Sequence, residues 1–584
     1  MWKRLTALLL CCALAVSVTG CELLPDEAGK TNLGTTVDVG EAKDDIHLRD
    51  KALLYENQDP TEVVTMYLTV SRGNSAENTD HTWEEINTYS VYDYDEMGVD
   101  RYKVAGLLQV GDENGLIEGE LGYGQVAPNC TVQIRGQSSS LNAQKNYKIK
   151  IKDNKGSWRG QTTIALNKHQ GDGLRFRNKL GFDLLTGVEE LMSLRTTFVH
   201  LYVKDTTQGG DAVFEDYGLY TQVEQLNKTA LEAHGLDKRG HLYKINVCEF
   251  YRYEDVIMLK DEPGFDQKAF DEILEVKGDD DHTKLIALLE KINDYSIPIE
   301  TILEEHFDLE NIAYWMAFQI MIGNIDTQSR NFYIYSPLNS ERWYILAWDN
   351  DALLKRSELA ISGRLDQSAW ESGVSNYWGN VLFRRCLKSE TFRAALDAAV
   401  EDLRAYLSDE RIESMTDTYV SVVKPFVYSG RDAIYAPLTS ENYDVVAESL
   451  TDLIDENYRL YKTSYDNPMP FFIATPEKNG DKISVRWETS YDFDAEPVSY
   501  TFELADEYTF SKPLLTVENI RIPVAEIDML PEGQYFIRVR ATNASGHSQY
   551  AFDYYIAEVG KIYGTKCFYV DSHGEIVEDS YVEK

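Results

Sequence analysis

Two short polar motifs in the middle of the chain contain the residue types that a phosphate-transferring site needs. Asp326 and Asn331 lie in the segment GNIDTQSRN, and Asp349 and Asp351 lie in the later segment WDND. Phosphoryl transfer needs metal ions over the phosphates, ligands that hold those ions, and a carboxylate near the attacking hydroxyl. Protein kinases meet this need with an aspartate, an asparagine five positions later, and a further aspartate after a hairpin. The two motifs therefore predict a site of this kind.

Each motif alone also has an ordinary structural interpretation. The D-x4-N spacing occurs by chance in long chains, and Asp326 would then be a loop residue that turns the backbone. The segment around Asp349 and Asp351 would then be a simple turn or a calcium-type cluster of oxygen ligands. The order of the motifs favours the chemical interpretation, because they follow one another on a helix, a loop, a hairpin and a second loop.

A polar segment upstream has the residues needed to cover phosphate groups. Arg135, Ser138 and Ser139 belong to RGQSSS, which ends one predicted strand, and Lys145 and Lys150 belong to KNYKIK, which begins the next. Hydroxyls, backbone amides and a basic side chain on such a loop can bind phosphates. The chain has no G-x-x-x-x-G-K-[ST] segment, which excludes a Walker-type site.

Glu224, at the end of GLYTQVE, is a candidate partner for one of these lysines. A lysine–glutamate pair is part of the kinase arrangement. Lys150 is favoured over Lys145 because it lies within a strand and is flanked by aliphatic residues, although an exposed strand face is an alternative explanation for both lysines.

The elements that would position these residues follow from the hydrophobic pattern. Strand-like alternation occurs at residues 63–70, 131–135, 147–151 and 197–203, and helical spacing occurs at 174–185, 283–293 and 309–322. Two short strands at 332–335 and 343–348 follow, and then helical patterns from about residue 378 to 465. The sequence thus predicts an α+β domain over residues 59–466.

The pattern changes after Pro468 and Pro470. Short strands at even spacing, at residues 482–487, 498–504 and 534–540, resemble a fibronectin type III sandwich over residues 468–560. Residues 561–584 are expected to form a short tail. Modules of this type usually act as spacers or bind partners, and this one contains no recognisable catalytic motif.

The N-terminus has the features of a bacterial lipoprotein signal. Lys3 and Arg4 precede an apolar stretch at residues 5–18, and small residues stand directly before Cys21. We expect residues 1–20 to be removed, Cys21 to be lipidated, and residues 21–58 to form a flexible tether. The chain would then be anchored to the cell membrane by lipid alone and face the extracytoplasmic side, although an ordinary signal peptide is an alternative.

The net charge and the cysteine positions limit which partners and which cross-links the protein is expected to have. The 57 basic and 97 acidic residues give a formal net charge of −40, which disfavours a nucleic-acid partner because such a surface repels phosphate backbones. Cys130, Cys248, Cys386 and Cys567 lie far apart without C-x-x-C spacing, so we expect buried thiols, with a single disulfide as the alternative.

Five separated motifs together resemble the spore coat protein H (CotH) kinase family. They are the R-G-x-S-S loop with its K-x-Y-x-I-K strand, LRFRNKL at residues 174–180, GLYTQVE, the G-N-x-D-x4-N loop and W-D-x-D. The resemblance spans roughly residues 60–465. It implies an atypical protein-kinase-like fold that transfers phosphate from ATP to serine hydroxyls of proteins with the help of Mg²⁺ or Mn²⁺.

The resemblance also implies residue roles. Asp326 would be the catalytic aspartate, and Asn331, Asp349 and Asp351 would be metal ligands. Lys150 or Lys145, with Glu224 and the loop of Arg135, Ser138 and Ser139, would hold the nucleotide.

Three functions remain open at this stage, because a protein outside the membrane would meet little ATP. The first is an active kinase for serine or threonine residues of secreted or surface proteins. The second is a binding or adhesion protein that keeps the fold without the catalysis. The third is another metal-dependent activity that uses the same carboxylates.

Overall fold

The computed structural model describes residues 47–364, 368–558 and 560–578. The predicted signal peptide and Cys21 lie outside these residues. In the part of the chain that is described, no helix is long and apolar enough to cross a membrane.

The first part of the chain forms a closed ring of strands. Its elements are β1 (Val63–Ser71), α1 (Trp83–Thr88), α2 (Val91–Met97), β2 (Val104–Asp112), β3 (Gly115–Leu116), β4 (Cys130–Arg135), β5 (Asn146–Ile151), β6 (Thr163–Asn167), α3 (Arg177–Leu185), β7 (Thr196–Asp205) and β8 (Phe214–Glu224). The hydrogen-bonded order is β1-β7-β8-β6-β5-β4-β2-β3, and β1 also pairs with β2, which closes the ring. Strand β1 runs parallel to β7 and antiparallel to β2.

Alternation along β5 separates a buried face from a polar face. Tyr147, Ile149 and Ile151 are almost fully buried in the core that the ring shares with α1 and α2. Because successive side chains on a strand point to opposite faces, Lys148 and Lys150 lie on the other side of the sheet. The register of β4 with β5 places Arg135 on that same side, opposite Asn146.

The second part is mostly helical around a small sheet. Its elements are α4 (Lys228–Ala233), β9 (His241–Ile245), α5 (Gln267–Ile273), β10 (Leu274–Val276), α6 (Thr283–Asn293), α7 (Ile299–His306), α8 (Leu309–Met321), β11 (Phe332–Ser336), β12 (Tyr344–Ala347), α9 (Arg356–Ile361), α10 (Val381–Lys388), α11 (Glu390–Tyr406), α12 (Asp409–Val427), α13 (Ser440–Glu448) and α14 (Leu450–Ser464). The sheet order is β10-β9-β11-β12. Helix α8 is apolar nearly all round and packs against α11, α14 and β12. It fixes the start of the Asp326 loop.

The last part is all β. Its strands are β13 (Glu477–Asn479), β14 (Lys482–Arg486), β15 (Ser499–Ala505), β16 (Leu515–Ile520), β17 (Val524–Asp528), β18 (Gly533–Thr542), β19 (Ser548–Tyr550), β20 (Tyr554–Ala557), β21 (Gly560–Tyr563), β22 (Thr565–Val570) and β23 (Ile576–Glu578). One sheet has the order β13-β14-β17 and the other β16-β15-β18-β22-β23, and both contribute to one core. Tyr535 at the start of β18 donates its hydroxyl to the Pro531 carbonyl at 3.1 Å, as in the tyrosine corner of immunoglobulin-like sandwiches.

The architecture confirms the predicted α+β domain followed by an all-β region. Two boundaries differ from the sequence prediction. Strands β22 and β23 and most of β21 lie within the expected tail, and β22 pairs with β18, so the all-β region extends at least to Glu578. Part of the expected tether also packs on the domain, because Leu48 is buried and its N–H donates to the Asp308 carboxylate at 3.0 Å.

The four cysteines outside the N-terminal region are buried thiols that form no disulfide in the part of the chain that the structure describes, as the sequence predicted. Burial raises the pKa of Cys130 and of Cys248 to about 12, so these thiols stay protonated and unreactive at neutral pH.

Candidate active site

The Asp326 loop begins where α8 ends. Gly323 takes a left-handed conformation (φ +59°) and turns the chain toward the loop. Asp326 lies in a short 3₁₀ turn, with about half of its side chain exposed. The Asn331 amide donates from Nδ2 to Asp326 Oδ2 at 2.8 Å and to the Asp326 carbonyl at 3.1 Å. The D-x4-N spacing therefore produces a direct contact that fixes the aspartate.

The WDND segment forms a turn immediately after β12. Asp349 has φ +56° and Asn331 has φ +61°, which places both residues in the left-handed region. Asparagine and aspartate tolerate this conformation better than most residues, and such strain concentrates at functional sites. The buried Asn350 N–H donates to Asn178 Oδ1 at 3.1 Å, so α3 holds the turn.

His169 connects α3 to the same turn. Its Nδ1 lies 3.3 Å from Asp351 Oδ2, and its Nε2 lies 3.3 Å from the Asn178 Nδ2. Burial disfavours the charged form of Asp351, but the hydrogen bond with His169 and the electrostatic interaction between the two side chains outweigh it and lower the pKa of this carboxyl. Asp351 is thus kept ionised.

Asp349 has the opposite character. Burial, and then the negative charge of Asp351, raise its pKa to about 7, although His169, Arg135 and Lys244 oppose the shift. Burial also raises the pKa of Asp326, and the charge of Asp351 adds to that effect. The two loops also meet directly, because Asn324 Nδ2, two residues before Asp326, donates to the Asp349 carbonyl at 3.4 Å. The negative charge of Asp351 therefore acts on both Asp326 and Asp349.

Basic side chains lie near this group of three aspartates. Burial lowers the pKa of Arg135, whose guanidinium carbon lies 5.9 Å from the centre of the Trp348 ring and which interacts with Asp349. Burial likewise lowers the pKa of Lys244 and of Lys148, and both interact with Glu275. The charges of Arg135 and Lys244 therefore act on Asp349, and Lys148 lies beside Arg135.

The residues of the RGQSSS loop and the lysines that follow it differ in how far they are buried and in what they contact. Ser139 accepts a hydrogen bond from Asn146 at 3.0 Å and closes the RGQSSS turn, whereas Ser138 is exposed. Lys145 is buried and donates to the Ser140 carbonyl at 2.6 Å. Lys150 is exposed, while Lys148 between them is half-buried beside Arg135. Of the three lysines, Lys148 is therefore the one that lies beside Arg135.

The predicted pairing of Glu224 with Lys145 or Lys150 is wrong. Its carboxylate accepts hydrogen bonds from the Arg195 guanidinium at 2.5 and 3.1 Å and lies 3.0 Å from His234 Nε2, rather than pairing with Lys145 or Lys150. The pairing follows from the end of β8, where Glu224 lies beside Arg195 and the C-terminus of α4. Glu275 on β10 is the glutamate that interacts with Lys148 and Lys244.

The basic residues of LRFRNKL are structural. Arg177 is fully buried and pairs with Asp172 and with Glu358, the latter at 2.6 Å. Arg175 lies 3.3 Å from Asp432, and Lys179 lies 2.8 Å from Asp183. A broken buried pair is costly, so these bonds hold α3 and the segment after Asp351 in place.

The donor atoms of the cluster fit a divalent cation. Mg²⁺ is commonly held by one or two carboxylates together with phosphate oxygens and water. Asp349 and Asp351 provide two partly exposed carboxylates on one turn, and Asp349 is held there in a left-handed backbone conformation. Within residues 47–364, 368–558 and 560–578, no group of three or more His, Cys, Asp or Glu side chains is arranged as a metal site.

One further charge comes from the all-β region. Lys561 on β21 lies close enough to Asp326 to act against the rise in the pKa of Asp326. Its Nζ lies 4.5 Å from the centre of the Tyr554 ring on the paired strand β20. The β20–β21 hairpin therefore reaches the neighbourhood of the site.

Comparison with known protein families gives one match. The family model described as CotH kinase protein matches residues 132–461, which is more than half of the chain. The chain belongs to the CotH kinase family. The match includes Arg135, Lys148, Asp326, Asn331 and Asp349, and it ends before the all-β region. Membership supports a protein-kinase-like function for the CotH domain.

Other comparisons add little. The chain is similar to the Helicobacter pylori proinflammatory kinase CtkA, with 9% identity over 54% of this chain and 95% of that one, at a TM-score of 0.24. It is also similar to a chain of the Shewanella oneidensis HipA–HipB toxin–antitoxin complex with operator DNA, with 10% identity over 51% and 60%, at a TM-score of 0.24. Likenesses at this level carry no functional information. No curated protein sequence matches the chain.

Proposed function

We propose that this CotH-family protein transfers the γ-phosphate of ATP to serine or threonine hydroxyls of secreted or surface proteins. The observation that supports the proposal most directly is the contact between the Asp326 loop and the Asp349 turn, where Asn324 Nδ2 donates to the Asp349 carbonyl at 3.4 Å. The charges of Arg135 and Lys244 act on Asp349 in the same place. Carboxylates that hold metal and cations that hold phosphate are the parts that phosphoryl transfer requires.

Each residue has a definite task in this proposal. Asp326, fixed by Asn331, accepts the proton of the acceptor hydroxyl. Asp349 and Asp351, with the amide oxygen of Asn331, would hold Mg²⁺ or Mn²⁺, which when bound neutralises phosphate charge. Arg135 and Lys148 bind the phosphate oxygens, and the turn at Ser138 and Ser139 lies over them.

His169 and Asn178 position the metal-binding turn. His169 keeps Asp351 ionised, and Asn178 holds both His169 and the backbone of Asn350. Neither residue contacts the phosphate in this proposal, so their role is orientation.

Transfer from ATP labelled in the γ-phosphate tests the proposal. The purified chain is incubated with Mg²⁺ or Mn²⁺ and a serine-rich acceptor protein, and incorporation is followed in the acceptor and in the chain itself. We expect metal-dependent labelling that Asp326→Asn removes. No labelling, combined with no rise in Tm when ATP and metal are added, would leave the CotH domain as a binding protein.

We further propose that Cys21 carries the lipid anchor. The small residues before Cys21 and the apolar stretch at 5–18 support it. Expression in a bacterial host with a radiolabelled fatty acid should label the chain, and Cys21→Ala should remove the label. Equal labelling of both would exclude Cys21.

A further inference from the structure

A segment of the CotH domain contacts the Asp326 loop on one side and the all-β region on the other. This bridging segment, residues 370–380, begins within the short 3₁₀ turn Ala369–Glu371, contains a second turn at Gly373–Tyr377 and ends just before α10. Trp370, Tyr377, Trp378 and Asn380 are all at most 5% exposed. A well-buried segment of this kind can transmit a shift between the parts it contacts.

On its first side the bridging segment binds the backbone and side chains next to Asp326. Asn376 Nδ2 donates to the Ile325 carbonyl at 3.1 Å, and the Tyr377 hydroxyl lies 2.9 Å from Thr327 Oγ1. Asn380 Nδ2 donates to the Gln328 carbonyl at 3.0 Å. These bonds hold the residues immediately before and after Asp326, whose own backbone departs from helical geometry. The direction of the Asp326 side chain therefore depends on the bridging segment.

On its other side the segment packs against aromatic residues of the all-β region. The Trp370 ring lies 5.3 Å from Phe552 and 5.6 Å from Tyr563, both edge to face. The Trp378 ring is stacked on Tyr491, with 5.1 Å between centroids. Aromatic pairs of this geometry contribute beyond the area they bury.

A polar bond reinforces this aromatic interface. The Tyr563 hydroxyl donates to Glu371 Oε2 at 2.6 Å, and Glu371 is only 6% exposed. Because a buried carboxylate is costly without donors, this bond favours one docked position of β21. The interface thus combines apolar packing with a hydrogen bond that fixes the orientation of β21 against the bridging segment.

We propose that the all-β region is a positioning element for the Asp326 loop, acting through the bridging segment. It is then part of the working site rather than a separate spacer. The expected effect on phosphate transfer rests on the proposed kinase activity, but the expected effect on the order of the loop does not.

The test compares interface variants with matched controls in the full chain. Phe552→Ala removes the ring that packs on Trp370, and Tyr563→Phe removes only the hydroxyl bound to Glu371. Phe510→Ala and Tyr569→Phe are the controls, since they make the same changes within the all-β region at positions that are not among the described contacts of the bridging segment. Hydrogen–deuterium exchange is measured on peptides covering residues 324–328 and 370–380.

The proposal predicts faster exchange at both peptides, at least about threefold, in Phe552→Ala and to a lesser degree in Tyr563→Phe. It also predicts that kcat for transfer falls about tenfold in Phe552→Ala, with KM for ATP within about twofold, because misplacement of a catalytic group affects the chemical step. The controls should change neither quantity.

Faster exchange at residues 370–380 without any change at 324–328 would overturn the proposal. So would a loss of transfer that Phe510→Ala reproduces, because it would reflect general destabilisation. If Phe552→Ala fails to fold, Tyr563→Phe decides the question alone. A chain that shows no transfer in any form, yet shows the coupled exchange, would refute the proposed kinase activity while supporting the positioning role.

Discussion

Gly181 in α3 lies directly against Asn350 in the turn that carries Asp349 and Asp351. A β-carbon at position 181 would approach the Asn350 Cβ to 2.6 Å and Leu353 Cδ2 to 2.8 Å. The absence of a side chain therefore sets how closely the helix and the turn pack. The close approach also allows Asn178, one turn earlier in the helix, to hold the turn by its backbone.

Gly181→Ala should consequently disturb the turn. Either α3 or the turn has to move, which we expect to destabilise the fold by about 1–3 kcal/mol, as overpacking usually does. Transfer activity should fall more than stability alone explains, because Asp349 and Asp351 would be displaced. Gly171→Ala is the control, since nothing lies within 4 Å of a β-carbon there. Equal activity and Tm in both variants would show that the contact is unimportant.

The two lysines on β5 should differ in their effect on ATP use. Lys148→Met should lower kcat/KM for ATP by about 10- to 100-fold, because a charge-assisted bond to phosphate contributes about 1.5–3 kcal/mol. Lys150→Met should have little effect, since Lys150 is exposed on the same strand. The measurement is the rate of transfer at varied ATP concentration. The reverse order of effects would restore Lys150 as the phosphate-binding lysine.

Substitution of Asp349 should separate activity from stability. Asp349→Ala and Asp349→Asn should both abolish transfer, by at least about 100-fold, because a charge that compensates the metal is lost. At pH 8 the Asn variant should melt at the same temperature as the wild type or higher, because burial raises the pKa of Asp349 to about 7 and its ionisation opposes folding. Asp481→Asn, in an exposed turn, should change neither quantity. Full activity without the Asp349 carboxylate would remove it from the mechanism.

The hydrogen-bonded network of Glu224, His234, Arg195 and Asp50 should lose stability both at high pH and at low pH. Burial disfavours the charge on His234, but hydrogen bonds to Asp50 and Glu224 prevail and raise its pKa from 6.5 to about 9. This contribution is fully present below about pH 6.5 and is lost as pH rises through 9. Burial also opposes the charge on Glu224, yet bonds to His234 and Arg195 lower its pKa from 4.5 to about 2. That contribution is present above about pH 4.5 and is lost as pH falls toward 2.

The measurement is the free energy of unfolding in denaturant between pH 4 and pH 9.5. We expect the wild type to lose about 1–3 kcal/mol between pH 6.5 and 9 through this network, and His234→Gln to lose that much less over the same interval. His573→Gln is the matched control, because His573 is an exposed histidine of the all-β region. Identical slopes for His234→Gln and wild type would mean that His234 does not carry a proton in the folded state.

Strong periodic patterns allowed much of the fold to be predicted from the sequence. The apolar helix at 309–322, the hairpin that follows it and the alternation at 147–151 correspond to α8, β11 with β12, and β5. The motif residues Asp326, Asn331, Asp349 and Asp351 come together because they lie at the ends of these local elements. Their proximity depends on short segments whose geometry the pattern largely determines.

The partners supplied by distant elements could not be predicted in the same way. Lys244 lies on β9, which pairs with β11, and Glu275 lies on β10, which pairs with β9. These pairings exist only in the folded chain, and no motif marks the two residues. His169 and Asn178 depend on how α3 packs against the turn at Asn350. The position of Lys148 could have been predicted from the sequence, because alternation along β5 places it on the same face as Lys150 and nearer to Arg135. Aliphatic neighbours alone could not show which of the two would be half-buried.

The closure of the strand ring has a consequence for how the chain acquires its structure. Strand β1 begins at Val63 and pairs in parallel with β7, whose residues come more than 120 positions later, from Thr196 onward. Contacts between distant segments form slowly because the intervening chain must first be brought together. Because the chain is synthesised from its N-terminus, the edge of β1 that pairs with β7 stays unpaired until β7 has been synthesised. We therefore expect the order of emergence, and not only the final contacts, to govern how much of this protein reaches its native state.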